Sequence, residues 1–150
     1  MHTPREFFDV FVQPAVDDWR RDKLDERRAI VAVVAIDNLA EHFAKYFGRD
    51  EKSERARLGR LVPSLQIAWD MHDTHKHGKL SRKSATIKRG QRPITEEHDG
   101  AFSDAFDGDA FDTTHDELVI ELDAGPKYPV EKVVEEGRQF WEEELKRNQL

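Results

Sequence analysis

From residue 22 to residue 47 the chain runs without a single glycine or proline, and Gly48 follows at once. A stretch that long with no breaker, closed by the residue that best ends a helix, predicts one long helix over 22–47. Its first half, 29–36, is apolar on every side, which predicts deep burial or a contact between copies of the chain. Its second half turns amphipathic. Ile36, Leu39, Ala40, Phe43, Tyr46 and Phe47 share one face, and Asn38, Glu41, His42 and Lys45 the other. A helix of this kind needs other helices around it, so the rest of the chain reads as its packing partners.

Phe7, Phe8, Phe11 and Val12 recur at helical spacing behind Pro4, so residues 4–19 read as a short helix that Pro14 interrupts or kinks. The alternating charges of 49–60 read as a solvated loop or a short helical turn. A third helix is expected from Pro63 or Ser64 to His77, with Ser64 as N-cap and Gly78 as C-cap. Residues 84–88 and 117–122 alternate as strands do, with a turn at 123–126 before a short extension at Lys127 and Tyr128. Residues 100–114, where Ala-Phe recurs among aspartates, read as a loop or a weak hairpin. Val130, Val133, Val134, Gly137, Phe140, Trp141 and Leu145 then trace a final helix opened by Pro129. The expected fold is mainly α. It is an antiparallel bundle of about four helices in one domain, 1–150, with a small antiparallel β element inserted at about 84–128.

The most unusual passage is 69–77, which carries three of the seven histidines. On a helical wheel His72 and His75 fall inside an apolar arc with Leu65, Ile67, Ala68, Trp69 and Met71, as core residues or as metal ligands. His77 projects from the opposite side with Asp70 and Asp73, beside Lys76. A carboxylate one turn before an imidazole fixes its tautomer, which prepares a general acid or base. The same residues also suit an ordinary helix end, where Lys76 and His77 complement the macrodipole. Asp37 interrupts the apolar helix, either as an exposed edge residue or as a buried carboxylate facing His77.

Two resemblances rest on these residues. Asp73, Lys76 and His77, with Trp69 and Leu80 flanking and Phe140-Trp141 near the end, resemble a group of uncharacterised bacterial helical proteins. In that group an apolar helix ends in Asp/Asn-x-x-Lys-His before a strand-rich stretch. The resemblance implies a fold and carries no activity. More loosely, the chain is similar to HEPN-type helical bundles, many of them metal-independent ribonucleases with an Arg-x4–6-His motif on a late helix. The literal match here is Arg92 to His98, which contains Pro93.

Other chemistries fall away. The chain has no cysteine, so no disulfide scaffold, thiolate metal site or Cys nucleophile exists. No phosphate-loop, dinucleotide, zinc-protease or nucleophile-elbow motif occurs, and residues 107–112 break the calcium-loop pattern at its fifth and sixth positions. No metal and no cofactor is expected. No apolar run reaches membrane-spanning length and the first residues lack a signal-peptide core, so a soluble cytoplasmic protein is expected.

With 24 Lys and Arg against 31 Asp and Glu the formal net charge is −7, but it is unevenly laid out. Lys76 to Arg92 is wholly basic in its charges and Glu96 to Asp123 wholly acidic. The basic strip could hold phosphate, or the acidic strip could fold over it and neutralise it. The leading expectation is a non-enzymatic protein that binds a partner, as a homodimer through the helix at 22–47. The alternative is a metal-independent ribonuclease or other nucleic-acid-acting enzyme, with His77 as general acid/base, Asp73 and Lys76 beside it, and Arg82 and Lys83 binding phosphate. A third reading is a metal-dependent hydrolase built on His72 and His75.

Overall fold

The computed structural model describes residues 3–77, 93–98, 115–123 and 125–150. Among the described residues seven helical segments and three strands follow in order: α1 Pro4–Phe7, a π-turn Phe8–Val12, α2 Gln13–Arg21, α3 Glu26–Tyr46, α4 Glu51–Leu61, α5 Pro63–His77, β1 Ile94–His98, β2 His115–Glu121, β3 Lys127–Pro129 and α6 Val130–Arg147. The protein is mainly helical, with a small antiparallel sheet ahead of the last helix.

Local chemistry sets these boundaries. Thr3 closes a capping box: its hydroxyl accepts from the Glu6 backbone N–H at 3.1 Å, and its own N–H donates to the Glu6 carboxylate at 2.8 Å. Pro14 does not break the first helix. The turn before it widens so that the Gln13 N–H donates to the Phe8 carbonyl five residues back. That wider turn absorbs a residue that cannot join the ordinary ladder. Asp25 caps α3 through the Arg28 N–H, which places its start at Glu26, four residues later than expected. Gly48, at φ 65, ends it as expected, with the Arg49 N–H donating to the Ala44 carbonyl.

The segment 49–60 is a correction. It is a full helix, α4, capped by Asp50 through the Ser53 N–H, and it carries Leu58 and Glu54 into the interior. Glu54 sits between Arg49 and Arg57. Burial pushes its carboxyl up, and the two guanidinium groups more than offset this, so it lies below the ordinary range. Ser64 is also placed differently. It lies inside the first turn of α5, fully buried, with its hydroxyl 2.7 Å from both the Tyr128 hydroxyl and the Glu136 carboxylate.

β2 is the central strand, pairing with β1 (Ile94↔Val119) and β3 (Ile120↔Tyr128). The sequence pattern anticipates β2 and β3 but not β1, whose Thr95, Glu96 and Glu97 lack apolar alternation. The proposed strand at 84–88 and the loop at 100–114 lie outside the described residues.

α3 is the axis of the bundle and packs against every other helix. Ala32, Val33, Ile36, Leu39 and Phe43 are fully buried along it. α6 lays Val130, Val133, Val134, Trp141 and Leu145 on the same core, and the Trp141 indole donates to the Ile36 carbonyl at 3.1 Å. Gly137 lets these helices meet, because a Cβ there would lie 2.9 Å from Ile36 Cγ2. Gly137→Ala is therefore expected to lower stability by about 1–3 kcal/mol through overpacking, despite the better helix propensity of alanine. A denaturant titration with an unchanged m-value is the check.

Candidate functional site

Asp37 stands in the middle of α3 with only 5 % of its surface exposed. An ionised carboxylate at that depth needs partners, and the chain supplies them from two other helices. Arg55 of α4 donates from Nε to Oδ1 and from Nη2 to Oδ2, each at 3.1 Å. His72 of α5 places Nδ1 2.7 Å from Oδ2. Arg55 is held from its other side by Glu51, one turn earlier on α4. Its side chain is 10 % exposed and that of His72 is 17 %.

The chemistry of this centre follows from the donor count. A carboxylate already accepting two guanidinium bonds is an acceptor only, so the His72 Nδ1–H donates to it. That assignment leaves Nε2 without a hydrogen-bond partner among the described residues. The arrangement matches the orienting half of an acid–base dyad. The space beside it is small. The void lined by Asp37, Arg55, Trp69 and Trp141 measures about 10 Å³, room for one water and no substrate.

The expected site on α5 is redistributed. Asp70 is fully buried and accepts from Gln66 Nε2 at 3.2 Å, so it does not share a polar face with Asp73. The reason is that α5 packs against α3, α4 and α6 together, so far more of its circumference is covered than its apolar arc suggests. Asp73 is half-buried and Lys76 exposed. The side chain of His77, and Arg82 and Lys83 entirely, lie outside the described residues. His72 and His75 part company: His72 meets Asp37, whereas His75 is exposed, not in the apolar core. The His98 end of the Arg92–His98 match lies in β1, an extended strand and not a helix. Among the described residues no group of three or more His, Asp or Glu side chains is placed to hold a metal, and no helix is long and apolar enough to cross a membrane.

A second feature lies on the other side of α3. Val10, Phe11 and Val31 are 53 %, 44 % and 52 % exposed. Phe11 and Val31 face each other across a groove of about 440 Å³. Phe7 and Ala15 extend one wall, Val34 and Asn38 the other, and His75 stands at its edge. His42 stacks on Phe7 at 4.1 Å and stiffens that wall.

Arg55→Ala is expected to cost about 3–5 kcal/mol, because it strands a buried carboxylate. Replacing Asp37 and Arg55 together with Leu is expected to cost less than the Arg55 change alone. Thermal denaturation of the two variants measures the difference. Against known proteins, no family model, no curated protein and no solved structure matches this chain.

Proposed function

We propose that this chain is a partner-binding protein of the cytoplasm whose docking surface is the outer face of α3 together with the Phe11 wall. One observation carries the reading: of the eight large apolar side chains exposed among the described residues, Val31 and Phe11 line one groove, Val31 at 52 % exposure and Phe11, which also makes further contacts, at 44 %. Isolated exposed apolar residues are ordinary, but a continuous patch bordered by polar groups is the usual mark of an interface. The polar centre at Asp37 supports the same reading, since it bridges three helices and the void beside Asp37 and Arg55 measures about 10 Å³.

A photo-crosslinking residue placed at Val31 is expected to give a covalent adduct in cells. The same residue at Glu143, on the outer side of α6, is expected to give none. Equal yields at the two positions, or no adduct at Val31, would overturn the reading.

The competing reading is acid–base chemistry on RNA, as in HEPN-type ribonucleases, and the orientation of His72 by Asp37 favours it. On that reading His72→Gln or His77→Ala abolishes an RNA-cleaving activity of the purified protein while leaving its melting temperature in place. On the binding reading neither substitution changes the RNA, which gel electrophoresis of incubated RNA resolves.

A further inference from the structure

α3 carries two seams. The inner one is the core face of the bundle. The outer one runs through Arg27, Val31, Val34, Asn38, Glu41 and Lys45, at intervals of four, three, four, three and four residues. That 3.5-residue period is the spacing by which one helix lies along another. Every member of the series is exposed or half-buried, whereas Ala32, Val33, Ile36 and Leu39 between them are buried.

Charge along the outer seam says what covers it. Arg27, at its N-terminal end, is exposed and has no ion-pair partner among the described residues. The middle is apolar, Asn38 follows, and Glu41 lies toward the other end. Lys45 hydrogen-bonds Glu41 and holds its carboxyl below the ordinary range, with Arg55 and His42 adding to this against the opposing effect of burial. A strip with a free cation near one end and an amide and a carboxylate near the other is complementary to itself when reversed. Set parallel, it would bring Arg27 against its own copy. The rest of the molecule argues the same way, because two chains of net charge −7 repel over most of their surfaces. The whole seam carries Arg27, Glu41 and Lys45, the last two bonded to each other, so it lacks the acidic excess of the rest of the chain and two copies can approach there.

Resting on the binding reading above, we infer that the occupant of this face is a second copy of the chain, with α3 running antiparallel to its equivalent. The two-fold axis passes between Val31 and Val34. Val31 packs on the partner's Val34, and Arg27 reaches the partner's Asn38 and the partner's Glu41. Asn38 stands level with the partner's Arg27 on either side of the Val31–Val34 contact, which ties the polar groups to one register. Such a contact is isologous, the commonest form of homodimer.

The absence of cysteine makes the geometry readable by disulfides. Two Arg27 positions are 11 residues apart along the antiparallel pair, about 16 Å, too far for a disulfide, whose Cα atoms lie within about 7 Å. Arg27→Cys chains alone, and Asn38→Cys chains alone, are expected to stay unlinked under mild oxidation, and a mixture of the two to form a cross-linked pair. By sedimentation the unaltered protein is expected at twice 17.5 kDa and Val31→Glu, with an unchanged circular dichroism spectrum, at 17.5 kDa. A dimer that persists in Val31→Glu, or a disulfide between two Arg27→Cys chains, overturns the inference. So does an unaltered protein that stays monomeric. In that last case a crosslinked adduct at Val31 containing a different protein leaves the binding reading standing, and no adduct at all removes both.

Discussion

The fold is organised around the need to neutralise one carboxylate. Asp37 sits on the helix that touches all the others, and an ionised carboxylate without partners at that depth would cost several kcal/mol. Two guanidinium bonds from α4 and one imidazole bond from α5 supply the compensation, and each requires its helix at a particular height and rotation against α3. Apolar packing alone tolerates sliding, since many arrangements of Leu, Val and Phe bury similar area. A buried polar triad does not. In this protein the triad ties α3, α4 and α5 together at one height, within the apolar contacts that surround it.

The same geometry gives the Asp37–His72 pair a third member, because Arg55 bonds both carboxylate oxygens of Asp37. The adjoining void admits a water and nothing larger. The open apolar surface lies on the other side of α3, where Phe11 and Val31 face a groove large enough for side chains of a partner.

Which parts were readable from the sequence follows from how local each signal is. α3, α5, α6 and β2 announce themselves by period and by breakers, because caps, glycines and apolar stripes act within a few residues. α4 was hidden because its apolar contribution is essentially Leu58, and a helix held by Asp50 at its start and by buried Glu54 and Arg55 looks, residue by residue, like a solvated run of charges. β1 was hidden because a strand of Thr and Glu is specified by the partner it pairs with, not by its own alternation. Arg55 was missed for the same reason. Its bond to Asp37 spans 18 residues, and nothing near either residue points to the other. Asp37 stood out as a break in an apolar helix, yet only the position of α4 decides whether such a residue is buried and paired or left at an edge. The helical wheel of α5 failed at Asp70 and His75 because a wheel assumes one buried face, and α5 packs against three helices.

The apolar character of α3 on all sides has, in the end, two causes that the sequence superposes. One set of residues, Ala32, Val33, Ile36 and Leu39, is apolar because the core requires it. The other, Val31 and Val34, is apolar although Val31 is exposed and Val34 only half-buried, at a groove walled by Phe7, Phe11 and Ala15. The two sets interleave at helical spacing, so hydropathy averages them into one signal. What separates them is the polar residue each contains. Asp37, on the inner side, is answered by Arg55 and His72 within the chain. Arg27, on the outer side, has no ion-pair partner among the described residues, and Glu41, further along the same helix, is bonded to Lys45. The answered carboxylate marks the core side of the helix, and the unanswered guanidinium beside Val31 is the observation on which the proposed second copy rests.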